Sequence, residues 1–258
     1  MRLNRYIAQS GHCSRRKADE LIAGGQVLVN GRPVLELGSV VDPTDDRVVV
    51  EGKRLKLDTA RVYVLLYKPR GVVTTLSDPQ GRPTVASLVE LGRRVVPVGR
   101  LDLESSGALL LTDDGDLCNR LLHPSSQLAK DYLVLLDRAL TDAELERFRR
   151  GIRVEGKTTL PAEIEAVGRS RKHARYHIVL REGRNRQIRR MMAVLGIKVR
   201  RLSRKRFGGI GLEGLEPGQW RFLGQKEIEQ LRKMASRAAA AAKSGPRKTS
   251  PGKGGHDA

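Results

Sequence analysis

The sequence predicts an α+β protein with two folded parts and a basic tail. Helix and hairpin signals fill the first sixty residues, β-prone segments separated by helical patterns follow from Tyr63, and a Gly/Ser/Pro/Lys-rich stretch follows QKEIEQLRKMA. We therefore expect a small domain over residues 1–60, a larger mixed domain over 61–232 and a disordered basic tail over 233–258. With 258 residues and 39 % hydrophobic content, the chain can bury a sizeable core.

The first part reads as a helix followed by two hairpins. Ser14 is expected to cap a helix through RRKADELIA, which Gly24 ends. The pair Asn30-Gly31 predicts a type I′ turn within QVLVNGRPV, and RVVVEGKRL predicts a second hairpin. Basic residues in the first turn of the helix oppose its dipole, so they indicate either a solvated helix end or, as we favour, a phosphate contact. These residues are Arg15, Arg16 and Lys17.

The second part alternates strands and helices. Its β-prone segments are YVLLYK, RVVPVG, GALLLT, DYLVLL, RYHIVL and KVRRLS. Thr141 and Glu144 form a capping box that opens the helix TDAELERFRRG. In NRQIRRMMAVLG, Asn185 is the expected cap and Gly196 the stop, and the apolar residues recur at helical spacing on one face. We expect its two methionines to lie in the core.

The charge balance predicts a polyanionic partner. The formal net charge is +20 and the sequence pI is about 10.7, so nucleic acid is the first expectation and an anionic membrane the second. Half of that charge lies between Arg181 and Arg206, where eleven basic residues accompany one acid. A helix and a strand that both carry arginine would form a surface suited to phosphates, although a basic surface can also serve solubility alone.

Several other classes of protein are excluded. No apolar run reaches the ~20 residues needed to span a bilayer, and the N-terminus lacks a secretion signal, so we expect a cytoplasmic protein. Cys13 and Cys118 are expected to be reduced thiols, and the five histidines do not cluster at metal-ligand spacing. GIGLEG lacks the βαβ context of a dinucleotide site, and no phosphate-binding loop is present. We expect neither a metal nor another cofactor.

The stretch GRLDLESSGALLLTDDG is the candidate catalytic segment. Asp102 follows one β-prone segment and precedes another, so it lies on a loop of the kind that carries functional residues. Taken alone, an aspartate beside Arg100 is more often a local salt bridge. Tyr132, next to Lys130, can present its ring to a base, and Arg189 can hold a carboxylate ionised as a nucleophile requires.

These segments resemble the bacterial ribosomal RNA pseudouridine synthases. GRLDLESSGALLLTDDG, LLYKPRGVVTT, LLHPS, AKDYLV, EGRNRQIRRM and RLSRKRFG occur in the order that this family uses. Residues 1–60 resemble the S-four-type RNA-binding module, and SDPQGRPTV is similar to the branch that acts on large-subunit (23S) RNA. The resemblance implies a mixed or largely antiparallel catalytic sheet, isomerisation of one uridine to pseudouridine without a cofactor, and action as a monomer on ribosomal RNA, either free or within a pre-ribosomal particle.

The resemblance also implies roles for individual residues. Asp102 corresponds to the nucleophile, Tyr132 to the ring that packs on the target base, and Arg189 to the partner of the Asp102 carboxylate. Attack on the ribose and attack on the pyrimidine both stay open, as do a small-subunit RNA or tRNA substrate and a non-catalytic RNA-binding assembly protein. The basic residues expected to contact RNA are Arg15, Arg16, Lys17, Arg100, Lys130, Arg184, Arg186, Arg190, Arg201 and Arg204.

Overall fold

The computed structural model describes residues 1–58, 60–169 and 173–243. The N-terminal part pairs helices α1 and α2 with a four-stranded antiparallel sheet in the order β2-β1-β3-β4, counted within the described residues. Its own apolar cluster extends from Leu3 to Leu55. The elements are α1 (Leu3–Gln9), α2 (Arg15–Ala23), β1 (Val27–Val29), β2 (Arg32–Pro33), β3 (Val48–Val50) and β4 (Lys53–Arg54).

Local signals determine this part, as the sequence predicts. The Ser14 hydroxyl accepts a 3.1 Å hydrogen bond from the backbone N–H of Lys17, which confirms the predicted cap. Asn30 and Gly31 have φ values of +53° and +81° between β1 and β2, as a type I′ turn requires. The second predicted hairpin is formed by β3 and β4.

A larger mixed sheet forms the second part. Nine strands of the described chain belong to it, in the order β11-β12-β8-β13-β7-β5-β15, with β14 paired to β13 and β6 paired to β7. The β7–β13 pair is parallel and the other pairs are antiparallel, so the predicted α+β class with a mixed sheet is confirmed. The strands are β5 (Tyr63–Lys68), β6 (Val96–Pro97), β7 (Ser105–Thr112), β8 (Lys130–Leu136), β11 (Glu163–Arg169), β12 (Ala174–Leu180), β13 (Val199–Phe207), β14 (Ile210–Gly211) and β15 (Trp220–Phe222).

The two faces of this sheet are covered differently. On the first face, the largest apolar cluster joins the sheet to α4 (Asp142–Arg150), α5 (Gln187–Val194) and the hairpin of β9 (Arg153–Val154) and β10 (Lys157–Thr158). On the second face, α3 (Gly115–Leu122), α6 (Gln225–Lys243) and a 3₁₀ turn (Pro124–Ser126) pack near β5 and β7. The second face of β8 and β12 carries half-exposed or exposed side chains instead, such as Leu133, Leu135 and Arg175.

Helix signals in this part hold with one exception. Thr141 and Glu144 form the predicted capping box, and Met191 and Met192 are fully buried in the core. The prediction that Asn185 caps α5 is wrong. Arg186 occupies the N-cap position with φ +50°, and the Asn185 amide oxygen instead accepts a 2.8 Å hydrogen bond from Arg190.

The predicted disordered tail needs a correction at its start. Helix α6 continues to Lys243, so residues 233–243 are helical rather than disordered. Alanine has the highest helix propensity, and Ala235 is buried against α3 and the second sheet face, which explains the extension. The remainder of the predicted tail, 244–258, lies outside the described residues. None of the described helices is long and apolar enough to cross a membrane.

Candidate active site

Asp102 lies on the loop that leads from β6 to β7. Its carbonyl oxygen accepts a 3.0 Å hydrogen bond from the backbone N–H of Ser105, which closes a tight turn at the start of β7. Its side chain is 27 % exposed, so the carboxylate is sheltered but can still be reached from solvent. Thr74 fixes the preceding residue, because its hydroxyl donates to the Leu101 carbonyl at 2.7 Å and accepts from the Leu101 N–H at 3.3 Å.

A buried lysine fastens this loop from beneath. Lys68, the last residue of β5, has no exposed surface, and its ammonium donates to the carbonyl oxygens of Pro69 at 3.0 Å, Asp102 at 3.2 Å and Ser105 at 2.9 Å. Burial lowers the pKa of Lys68 to about 8, against the opposing effect of the nearby carboxylates of Asp102 and Glu104. Lys68 therefore holds both ends of the turn that carries Asp102.

Two arginines at the start of α5 face the Asp102 loop. Among the described residues, the cation within 4 Å of the Asp102 carboxylate is Arg186, whose Nη1 lies 3.8 Å from Oδ2. Arg189 instead donates to the carbonyl oxygens of Val199 at 3.2 Å and Glu104 at 3.5 Å. Burial and the charge of Arg186 lower the pKa of Arg189, whereas Asp102 and Glu104 raise it.

The expected partner of Asp102 therefore needs a correction. The sequence interpretation pairs the carboxylate with Arg189, whereas the direct ion pair is made by Arg186, one helical turn earlier. Arg189 is near enough to interact with Asp102 through its charge, but its hydrogen bonds go to the backbone. The positive φ of Arg186 turns the chain at the helix start, a conformation that the local sequence did not reveal.

Tyr132 lies on β8 beside a cavity of about 370 Å³. The ring is 9 % exposed, and Tyr132 points to the same face of the sheet as the core residues Val134 and Leu136. The cavity wall includes Gly99 and Arg100, so the cavity adjoins the loop that continues to Asp102. Its other charged wall residues are Lys130, Arg181, Glu182, Arg184 and Arg204.

Arg204 forms a buried wall of this cavity. It pairs in register with Tyr132 on β8 and with Gly107 on β7, and its Nε donates to the Ala108 carbonyl at 2.8 Å. Its guanidinium stacks 4.8 Å from the centre of the Phe207 ring. The close approach of the strands needs a glycine, because a Cβ on Gly107 would lie 2.1 Å from the Arg204 carbonyl oxygen.

The basic residues expected to contact RNA fall into three groups. Arg16, Arg100, Arg186 and Arg201 have exposed side chains. Others are held by protein groups: Lys17 by Glu20, Arg184 by Glu182 and the carbonyls of Lys157 and Thr158, Arg190 by Glu155, and Arg15 weakly by Asn4. Lys130 and Arg204 face the cavity beside Tyr132, and Arg204 is 3 % exposed, so its contact with RNA stays a prediction.

Comparison with known proteins identifies the family. The sequence profile of the RNA pseudouridylate synthase family matches residues 62–194, and that of the S4 domain matches residues 1–48. The chain belongs to the RNA pseudouridylate synthase family. Members of this family are isomerases, and Lys68, Asp102, Tyr132, Arg186 and Arg189 lie within the matched region, whereas Arg204 follows it.

Relatives match over almost the whole chain. An RNA pseudouridine synthase of Aquifex aeolicus is 41 % identical over 233 residues, which are 90 % of this chain and 93 % of the relative. The ribosomal large subunit pseudouridine synthase B of Bacillus subtilis is 39 % identical over 237 residues, with 91 % and 96 % covered. A crystal structure of a pseudouridylate synthase superposes with a TM-score of 0.65 at 32 % identity and covers 90 % of this chain and 99 % of its own.

The sequence interpretation missed Lys68 and the interior position of Arg204. A signal for Lys68 is present in YVLLYK, because the period-2 alternation puts Lys68 on the same face as Val64 and Leu66. A lysine at an apolar position of a strand indicates a buried ammonium that needs several acceptors. Arg204 gave no such signal, because it lies within a run of basic residues on β13.

Proposed function

We propose that this synthase converts a uridine of large-subunit ribosomal RNA to pseudouridine, with Asp102 as the nucleophile. The observation that supports it best is the position of the Asp102 carboxylate, which is sheltered, 3.8 Å from Arg186 and on a loop fixed by Lys68. The resemblance of the chain to a relative named for the ribosomal large subunit supports the choice of RNA.

The reaction rearranges bonds within one nucleotide. The bond between uracil N1 and ribose C1′ breaks, a bond between C5 and C1′ forms, and a proton leaves C5 while one is taken up at N1. Asp102 can act by attack on C1′ or on the pyrimidine ring, and both routes use the same carboxylate. Arg186 and Arg189 place positive charge beside this carboxylate.

The target base must leave its stack to reach this carboxylate. Extrusion of the base costs a few kcal/mol, and stacking of the base on an aromatic ring offsets about 1–3 kcal/mol of that cost. Tyr132 borders the cavity beside the Asp102 loop and is our candidate for that ring. Two exposed arginines, Arg100 on the cavity wall and Arg186 beside Asp102, are candidates for contacts with the phosphates on either side.

The proposal extends to the setting of the reaction. The S4 domain at residues 1–48 supports RNA as the partner, in agreement with the net charge of +20. We further propose 23S RNA as the specific substrate, free or in a pre-ribosomal particle, with the protein acting as a monomer in the cytoplasm.

Asp102→Asn tests the catalytic assignment. The amide keeps the size of the side chain but cannot act as a nucleophile, so pseudouridine formation should be abolished while RNA affinity stays within about twofold. Asp116→Asn on α3, an acid that pairs with Arg5 and not with Arg186, is the matched control and should keep its activity. Retained turnover in Asp102→Asn would refute the nucleophile, and pseudouridine mapping in a deletion strain would identify the RNA.

A further inference from the structure

The second face of the large sheet contains an uncovered groove opposite the Tyr132 side. The groove has a volume of about 490 Å³ and crosses β5, β7, β13, β8 and β12. Register places its floor on this face, because Ser203 pairs with Leu133, and Arg201 and Arg175 both pair with Leu135. The catalytic-side residues Tyr132 and Val134 alternate with these along β8.

All charged side chains on the wall of this groove are basic: Arg70, Arg175, Arg201 and Lys205. Within the described ranges, no carboxylate lies within 4 Å of the cationic groups of Arg175, Arg201 or Lys205. All three are exposed. The adjoining hollow of about 480 Å³ differs, since its wall contains Asp131 and Glu213 beside basic residues. The positive charge is thus concentrated over one groove and is free to meet an external anion.

An aromatic ring lies within the same groove. Tyr67 is half-buried on β5 and also borders the adjoining hollow, so it stands where the two depressions meet. Leu133 and Leu135 give the floor apolar surface beside it. A positively charged groove with an aromatic ring is the arrangement that binds single-stranded nucleic acid, in which phosphates meet cations and a base stacks on the ring.

One end of the groove adjoins the catalytic loop. Arg70 donates a 2.5 Å hydrogen bond to the Glu104 carboxylate, and Glu104 lies two residues after Asp102. The Glu104 carbonyl also accepts a hydrogen bond from Arg189 at 3.5 Å. An RNA strand that leaves the target site can therefore continue toward Arg70 and the second face of the sheet.

We propose that this groove binds a single-stranded stretch of the substrate RNA outside the target nucleotide. Arg175, Arg201 and Lys205 contact its phosphates, and Tyr67 stacks on one of its bases. The inference rests on the proposed function, because it takes the substrate to be RNA. It gives the large sheet two RNA-binding faces, where the sequence predicted one basic surface from the helix and the strand of residues 181–206.

The charge contribution is tested with Arg175→Gln/Arg201→Gln. The probe is an oligouridylate of about 12 nucleotides, within the range bound by single-strand grooves. Each phosphate contact to a single strand contributes about 0.7 to the slope of log affinity against log salt concentration. The slope of the double variant should therefore be smaller than that of wild type by about 1.4. Arg147→Gln/Arg150→Gln on α4 removes the same charge from another exposed surface and should keep the wild-type slope. A slope equal in both double variants overturns the proposal.

The ring is tested with Tyr67→Ala against Tyr67→Phe. Loss of one base stacked on an aromatic ring weakens binding by about 5- to 150-fold, and the phenylalanine variant should bind within about twofold of wild type. Equal affinities of the alanine and phenylalanine variants, with both folded by circular dichroism, would refute the stacking. Oligouridylate binding is measured without turnover. If the groove variants bind the oligouridylate like wild type while pseudouridine formation is normal, only this inference is contradicted. Failure of Asp102→Asn to stop turnover contradicts only the catalytic assignment.

Discussion

Replacement of Lys68 by methionine tests whether Lys68 mainly stabilises the fold or mainly positions the Asp102 loop. Methionine has a similar length and no charge, so it fills the same space under the Asp102 loop. The variant loses three hydrogen bonds, to the carbonyls of Pro69, Asp102 and Ser105. The Asp102 carbonyl keeps the N–H of Ser105 as a donor, so the carbonyls of Pro69 and Ser105 are the ones most affected.

The energetic terms of this substitution nearly cancel. Loss of a donor to a buried carbonyl costs about 1–3 kcal/mol, or about 2–6 kcal/mol for the two. Removal of the buried charge stabilises the folded state by about 3 kcal/mol, because burial lowers the pKa of Lys68 from 10.5 to about 8 and each pKa unit corresponds to about 1.4 kcal/mol. We therefore expect the free energy of unfolding to change by less than about 3 kcal/mol. The position of Asp102, by contrast, loses its support.

We expect Lys68→Met to fold and to lose about 100-fold in the rate of pseudouridine formation, since a shift of about 1 Å in a reacting group has an effect of this size. Urea unfolding measures the stability, a single-turnover assay measures the rate, and filter binding shows whether RNA capture is retained. A rate within threefold of wild type would refute the positioning role. Unfolding free energy reduced by more than about 5 kcal/mol would show that Lys68 serves stability first.

Three other predictions concern the same region. Gly107→Ala should lower the free energy of unfolding in urea by about 2–6 kcal/mol, because its Cβ would lie 2.1 Å from the Arg204 backbone and φ is +120°. Gly115→Ala is the control, because Gly115 has open space around it, and should change the free energy of unfolding by less than about 1 kcal/mol. Arg186→Gln should slow turnover by less than about fivefold, because a half-exposed ion pair contributes about 0.2–1 kcal/mol. Arg189→Gln should instead lower the free energy of unfolding by about 1–3 kcal/mol, because its backbone hydrogen bonds are lost. Burial also lowers the pKa of Lys130 to about 8, so between pH 8 and 10.5 the unfolded chain binds more protons than the folded chain. The free energy of unfolding measured in urea titrations should therefore rise with pH over this range. Lys130→Met should reduce that rise.

Features set by neighbouring residues could be predicted from the sequence. The cap at Ser14, the turn at Asn30-Gly31 and the capping box at Thr141 each depend on residues within four positions. The apolar face of α5 follows from its periodicity in the same way. The cap of α5 could not be predicted, because Asn185 has suitable chemistry but bonds to Arg190 instead.

Features set by tertiary contact could not be assigned to the correct residue. Both Arg186 and Arg189 lie near the start of α5, and the choice of partner for Asp102 depends on how that helix meets the β6–β7 loop. On β13, register shifts near Arg201 and Arg206 break the simple alternation of faces. Between these shifts the alternation holds, so Arg204 lies beside Tyr132, whereas Arg201 lies on the opposite side of the sheet.

The count of basic residues therefore overstates the charge available to RNA. Of the eleven between Arg181 and Arg206, seven pair with protein groups: Arg181, Arg184, Arg186, Arg189, Arg190, Arg204 and Arg206. Four exposed ones remain: Lys198, Arg200, Arg201 and Lys205. At about 0.7–0.9 per phosphate contact, these four can contribute a salt slope of about 3, where the sequence alone suggests about 9. The half-buried Arg189 and the buried Arg204 act on the protein instead, because they donate to backbone carbonyls of the Asp102 loop and of the neighbouring strands.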